Sequence, residues 1–134
     1  MSRKLQTFGL MASVALCAAE TASAHHSFAA EFDITKPVTL VGKVTKLEWT
    51  NPHAYLYVDV TDAKTGMVTT WEIEMGSPNG LTRMGWSRNV LKPGDDVTVE
   101  GSLGRVRPNF ANARSVVMTA TGKKLGAASS EGAQ

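Results

Sequence analysis

The stretch AYLYVDVTDAKTGMVTTWEIEM, residues 54–75, decides the fold class, because apolar and polar residues alternate on both sides of a turn. A period of two is typical of a half-buried β-strand. The intervening DAKTG, residues 62–66, has turn chemistry. The sequence therefore predicts two strands, 54–61 and 68–75, whose inward positions are Leu56, Val58, Val60, Trp71, Ile73 and Met75.

The same kind of pattern extends outward in both directions. Residues 38–50, VTLVGKVTKLEWT, form a long β-branched run in which Gly42 predicts a bend or a bulge. Further strands are predicted at 97–103 and 113–121. The one segment with helical character is SPNGLTRMG, residues 77–85. The order is thus three strands, a short helix and two strands.

This order predicts an all-β fold, a small five-stranded OB-like Greek-key barrel with one short helix. The long first strand, kinked at Gly42, would serve two sides of the barrel. A generic small antiparallel barrel or sandwich fits the alternation nearly as well. The fold class leaves the ligand open, because OB-like barrels bind oligonucleotides, oligosaccharides and other ligands.

The first 24 residues read as a cleaved signal peptide. Arg3 and Lys4 precede an apolar run at residues 8–19, and Ala22-Ser23-Ala24 is an A-x-A cleavage pattern. The run is shorter than the ~20 residues that span a bilayer, so stable membrane insertion is not expected. The sequence predicts a soluble periplasmic protein whose mature chain begins at His25.

The chain is divided into four regions on this basis. Residues 1–24 are the signal peptide, 25–36 a lead-in segment, 37–125 the OB-like domain and 126–134 a disordered tail of small and polar residues. The formal net charge is only +2, which does not favour a nucleic-acid partner. Cys17, the one cysteine, lies within the leader.

Four motifs carry a resemblance to a known family. These are AHHSFAAEFD, WTNPHA, GSPNGLTRMGW and LKPGDDVTVEG, and the likeness runs from about Ala24 to about Leu125. Together they resemble a family of small secreted bacterial proteins of unknown function. The resemblance implies export but supplies no activity and no catalytic residue.

The histidines suggest a metal site. After cleavage, His25 offers its α-amine and its imidazole Nδ1 to one ion, and His53 follows the first long strand. Three nitrogens in this arrangement favour Cu(II), and His26 is an auxiliary candidate. If Ala24 were retained, His26 would instead be third, an arrangement that also binds Cu(II). The alternative is that all three histidines are ordinary solvated residues.

The main competing hypothesis is a binding module without a metal. On this interpretation Tyr55, Tyr57 and Arg107 hold a small ligand, a glycan or another periplasmic protein on the barrel face. A structural or accessory role without a ligand is a third reading. An enzyme is the minority interpretation, because no catalytic motif is present. Glu72 and Glu74 could form an acid/base pair, but the pattern predicts that both are water-exposed residues on one face of a strand.

Overall fold

The computed structural model describes residues 28–128, and the chain there is mostly β, which confirms the all-β prediction. The strands are β1 (Phe32–Glu48), β2 (Tyr55–Thr61), β3 (Val68–Glu74), β4 (Asp96–Gly104), β5 (Phe110–Met118) and β6 (Lys123–Gly126). A helical turn at 28–31 precedes β1, and a short helix (Pro78–Arg83) lies between β3 and β4. No helix in this part of the chain is both long and apolar enough to cross a membrane.

The strands form a six-stranded sheet in the order β3-β2-β1-β4-β5-β6. Neighbours in this order are antiparallel, and β3 also pairs with β5 in parallel through Glu72↔Phe110, Ile73↔Ala111 and Glu74↔Asn112. β1 is long enough to pair with β2 at one end and with β4 along much of its length. These pairings bring the ends of β3 and β5 together, although the two strands are not neighbours in the sheet order.

The sixth strand differs from the predicted five. The sequence reading extended the last strand to Thr121, but β5 ends at Met118, and a turn with Gly122 at φ 71° leads into β6. β6 has four residues, and only Leu125 is buried, so it is too short to show an alternating pattern. The ordered chain also continues past residue 125, because Ala127 is fully buried and bonded to Gly76 and Arg114.

The core lies on the face that the alternation predicted. Leu56, Val58 and Ile73 are fully buried, and they pack with residues of β4 and β5 in one cluster. The short helix adds Leu81 to this cluster, and its first turn is capped by the Ser77 side chain, which accepts a bond from the Gly80 N–H. The chain after the helix then contributes Trp86 to the core.

Gly42 is needed for a close approach of backbone rather than for the bulge itself. A Cβ at this position would lie 2.1 Å from the carbonyl oxygen of Asp59 in β2. The register shift between β1 and β2 falls two residues later, between Val44 and Lys46. The irregularity in β1 was therefore predicted in the right region, and the steric reason for the glycine is contact with the neighbouring strand.

Candidate functional site

The His53 side chain is held in a defined orientation at the end of the β1–β2 loop. Its Nδ1 lies 3.0 Å from the carbonyl oxygen of Met75, and its own carbonyl accepts a bond from Thr50 Oγ1. The Ala54 N–H donates to the Gly76 carbonyl oxygen and the Ala54 carbonyl accepts from the Met75 N–H, so the loop is also tied to the residues that follow β3. Because a carbonyl oxygen can only accept, Nδ1 carries the proton in the neutral ring, and Nε2 keeps its lone pair.

The Nε2 atom of His53 faces a buried carboxylate. Glu74 Oε1 is 3.6 Å from this nitrogen, and the Glu74 side chain is only 10% exposed. Tyr55 is the register partner of Glu74, and its hydroxyl donates to Glu74 Oε2 over 3.4 Å. Burial raises the pKa of the Glu74 carboxyl, while the nearby His53 lowers it to a smaller extent.

The prediction that the Glu74 side chain is exposed to water is therefore wrong. The alternation in β3 places Glu72 and Glu74 on the same face, and Glu72 is half-buried there. At the position of Glu74, the side chains of His53 and Tyr55 lie against the carboxylate. An alternating pattern gives the face of a side chain but not the neighbours that cover it, so the sequence alone could not identify Glu74 as a buried acid.

The two tyrosines of the chain lie side by side on β2 but in different surroundings. Burial, together with the charge of Glu74, raises the pKa of Tyr55 to about 12. Burial also raises the pKa of Tyr57, and its hydroxyl lies 3.3 Å from Glu48 Oε2. Lys46 lies 5.2 Å from the centre of the Tyr57 ring, so a cation already covers this tyrosine.

Arg107 reaches the same sheet face from the β4–β5 loop. Its guanidinium makes a two-point contact with Glu72, at 3.1 and 3.4 Å, and lies 3.8 Å from the centre of the Phe110 ring. A cavity of about 230 Å³ adjoins it, lined by Glu31, Val106, Arg107 and Phe110. Since Glu72 is the register partner of Tyr57, Arg107 lies next to the tyrosines.

The segment before β1 is fixed against this face. Arg105 Nε donates to the carbonyl oxygens of Ala29 and Phe32, and Arg105 Nη1 contacts Asp33 Oδ2 at 3.1 Å. The Phe32 ring packs between Phe28 and Phe110, at centroid distances of 5.2 and 5.0 Å. These contacts hold the helical turn at 28–31 beside the β4–β5 loop.

Glu31, in the helical turn, acts on the buried acid through its charge. Beyond the effect of burial, Glu31 contributes to the raised pKa of both Glu74 and Tyr55. Glu31 also lines the cavity beside Arg107, which pairs with Glu72, so the helical turn lies next to this part of the sheet. Glu31 and Glu74 were both missed as site residues by the sequence reading.

The predicted site residues fall into two neighbouring groups. Tyr55 and His53 meet at Glu74, and Tyr57 and Arg107 meet at Glu72. His25 and His26 lie outside the described residues. Within residues 28–128, no three histidine, cysteine or acidic side chains are grouped closely enough to hold a metal ion.

Comparisons with known proteins place the chain in a family. No curated protein and no solved structure matches it. A family model described as a family of unknown function, DUF6152, matches residues 13–111, which cover most of the chain and include β1, β2, β3, the short helix and β4. The chain therefore belongs to this family of unknown function.

Proposed function

We propose that the chain is exported to the periplasm, is cleaved after Ala24 and binds one copper ion there. The ligands are the α-amine and imidazole of His25 and the Nε2 atom of His53, with His26 as an auxiliary ligand. The amine and the imidazole of one terminal residue form a chelate ring on a single ion. A set of three nitrogens of this kind favours Cu(II) among the divalent first-row metals.

The observation that carries this proposal is the orientation of His53. Histidines that bind metals usually donate their other ring N–H to a carbonyl or a carboxylate, which fixes the tautomer and directs the ligating nitrogen. His53 donates Nδ1–H to the carbonyl oxygen of Met75 and directs Nε2 toward Glu74.

The position of the first described residues also supports the proposal. Phe28 is anchored through its contact with Phe32, and Glu31 lines the cavity beside Arg107 and Phe110. His25 is three residues before Phe28, so the connecting chain can extend over ~10 Å. Because the contacts of Arg105 hold the segment in place, less conformational entropy is lost when the terminus meets the ion.

The proposed fold is an OB-like barrel that presents this site on its binding face. The parallel β3–β5 pairing supports it, because it connects the strands into a ring of β1, β2, β3, β5 and β4. In OB folds the β2–β3 face and the loops β1–β2 and β4–β5 form the ligand site. Here these elements supply His53, Tyr55, Glu74 and Arg107.

Calorimetric titration of the mature chain, residues 25–134, with Cu(II) tests the proposal. We expect one ion per chain and a loss of affinity of about tenfold or more in His53→Ala, since a whole ligand is removed. A second variant carries three extra glycines before His25. Three are needed because one or two would place a histidine third in the chain and create a separate amine-X-His copper site.

The glycine extension leaves every histidine in place and removes only the terminal chelate, so it tests the other half of the proposed ligand set. We expect it to weaken Cu(II) binding as well. Equal, weak binding by all three proteins would overturn the proposal. Mass spectrometry of the exported protein from a bacterial host tests the cleavage site, and a retained leader would remove the terminal chelate.

The cavity beside Arg107 favours a second candidate function, a site for a small ligand, a glycan or a protein partner without a metal. The two-point contact of Arg107 with Glu72 and its position 3.8 Å from the centre of the Phe110 ring fix the guanidinium at the cavity wall. Such binding would depend on Tyr55, Tyr57 or Arg107, and it would be indifferent to chelators and to the terminal residue. Ligand-observed NMR with an oligosaccharide panel, comparing the unmodified chain with Arg107→Ala, tests this candidate.

A further inference from the structure

The carboxylate of Glu74 is buried, and its polar partners lie at the long end of the distances for hydrogen bonds and ion pairs. Among the described residues its oxygens make two polar contacts, with the Tyr55 hydroxyl at 3.4 Å and with His53 Nε2 at 3.6 Å. Hydrogen bonds that involve an ionised group are usually ~2.5–2.9 Å long. Both contacts of Glu74 are therefore too long to compensate fully for the removal of a carboxylate from water.

The separation of Glu74 Oε1 and His53 Nε2 fits two ligands of one metal ion. Nitrogen and oxygen ligands lie ~2.1 Å from a first-row divalent ion. Two such atoms are separated by about 3.0 Å when they subtend a right angle at the ion and by about 3.4 Å in a tetrahedral site. The observed 3.6 Å needs only a small movement of either side chain to match these values.

The charges around this pair favour a cation. Glu72 is the other carboxylate on this face of β3, and Arg107 already pairs with it. Lys46 is paired with Glu48 at the far side of Tyr57. Glu31 is a further carboxylate near this face, because it lines the cavity beside Arg107. Glu74 is thus left as the buried carboxylate of the face, with an imidazole nitrogen directed toward it.

We infer that Glu74 supplies an anionic oxygen ligand to the ion at His53, so that the site selects divalent copper over Cu(I). The inference rests on the proposed function. Carboxylates are hard ligands, whereas Cu(I) prefers soft thiolates and thioethers. Among the methionines, Met75 offers His53 its carbonyl oxygen while its side chain lies in the core cluster, and Met67 is exposed at the β2–β3 turn.

Glu74→Gln tests the inference, because it keeps the shape of the side chain and an acceptor for Tyr55 but removes the charge. In the mature chain we expect it to weaken Cu(II) binding by about tenfold or more. Cu(I) binding, measured under anaerobic reducing conditions by competition with a chromophoric chelator, should change less than about threefold. Glu72→Gln is the matched control, two residues along the same face, and should leave both affinities nearly unchanged.

A direct measurement covers the case in which Glu74→Gln does not fold. The side-chain carboxyl carbon of Glu74 can be followed by NMR in the unmodified mature chain as Zn(II), a diamagnetic substitute, is added. We expect this signal to move with saturation at one equivalent, while that of Glu72 stays in place. An unmoved Glu74 signal in the Zn(II)-bound chain would overturn the inference.

The two proposals fail in different ways. If His53→Ala and the glycine extension weaken Cu(II) binding but Glu74→Gln does not, copper binding stands and Glu74 is not a ligand. If Glu74→Gln weakens Cu(II) and Cu(I) binding equally, the selectivity for the divalent ion is wrong. If none of the variants changes the affinity, both proposals are wrong.

Discussion

The Nδ1 atom of His53 lies 3.0 Å from the carbonyl oxygen of Met75, a residue 22 positions further along the chain. This bond joins the β1–β2 loop to the end of β3, and it determines which ring nitrogen faces Glu74. It also predicts the tautomer. The neutral His53 ring should carry its proton on Nδ1, because the carbonyl can only accept.

Long-range proton–nitrogen NMR correlation at about pH 8 measures this tautomer, with His53→Gln used to assign the signals. The two remaining histidines, His25 and His26, serve as internal references in the same spectrum. A His53 ring protonated mainly on Nε2 would contradict both the bond to Met75 and the orientation on which the copper proposal depends.

Tyr55 should ionise with a pKa of about 12, compared with an ordinary value of 10.0, because burial and the charge of Glu74 disfavour the phenolate. The chain has two tyrosines, so Tyr57→Phe isolates Tyr55 in an absorbance titration at the phenolate band. The variant Tyr55→Phe gives the titration of Tyr57 alone, for comparison. Circular dichroism at the same pH shows whether the chain is still folded. If Tyr55 titrates with a midpoint near 10 in the folded chain, its environment is not the buried one described here.

Glu74→Gln should stabilise the metal-free chain at pH 7–8. The folded-state pKa of Glu74 is raised by burial above the ordinary value of 4.5, so the folded chain holds the proton more tightly than the unfolded chain does. Stability is therefore lost as the pH rises from about 4.5 through the raised pKa, and Gln avoids this loss. Urea unfolding at pH 4 and pH 8 should show a gain for the variant that grows with pH.

The matched comparison for this prediction is Glu72→Gln, which loses a contact with Arg107 at a half-exposed position. It should change stability by less than about 1 kcal/mol and should not gain stability at pH 8. A Glu74→Gln variant that is less stable than the unmodified chain at pH 8 would indicate that the carboxylate has a close partner after all.

Arg105→Ala should release the segment before β1. The guanidinium donates to the carbonyl oxygens of Ala29 and Phe32 and contacts Asp33, so we expect a loss of about 1–3 kcal/mol in the free energy of unfolding. Cu(II) affinity should also fall, because more entropy is lost when the terminus is ordered. Arg88→Ala, at an exposed position, should leave both quantities nearly unchanged.

Gly101→Ala should destabilise the fold by about 3 kcal/mol or more, because the new Cβ would lie 1.7 Å from the carbonyl oxygen of Asn112. Gly101 lies at the register shift between β4 and β5, where two backbones approach closely. The control is Gly80→Ala in the short helix, where the nearest atom is Ser77 Oγ at 3.3 Å, and a change within about 1 kcal/mol is expected. Similar urea midpoints for the two variants would refute the close approach.

The sequence by itself determined the elements whose signal is local. Alternate side chains of a strand point to opposite faces, so the pattern of residues 54–75 identified β2, β3 and their buried positions, among them Leu56, Val58 and Ile73. The short helix was predicted within residues 77–85, between Pro78 and Gly85, since proline and glycine act on the backbone within a single turn. His53, Tyr55 and Arg107 were selected by residue type and approximate place along the chain.

Only the tertiary structure decided which of these residues meet. The register of β2 and β3 sets Tyr55 opposite Glu74, 19 residues further along the chain. The contact between Arg107 and Glu72 likewise joins residues that are 35 positions apart. The burial of Glu74 has the same origin. A strand pattern gives the direction of a side chain, whereas its surroundings depend on a loop and a neighbouring strand brought there by non-local pairing. The two carboxylates of β3 share one local pattern, and the loop that covers Glu74 makes their environments different.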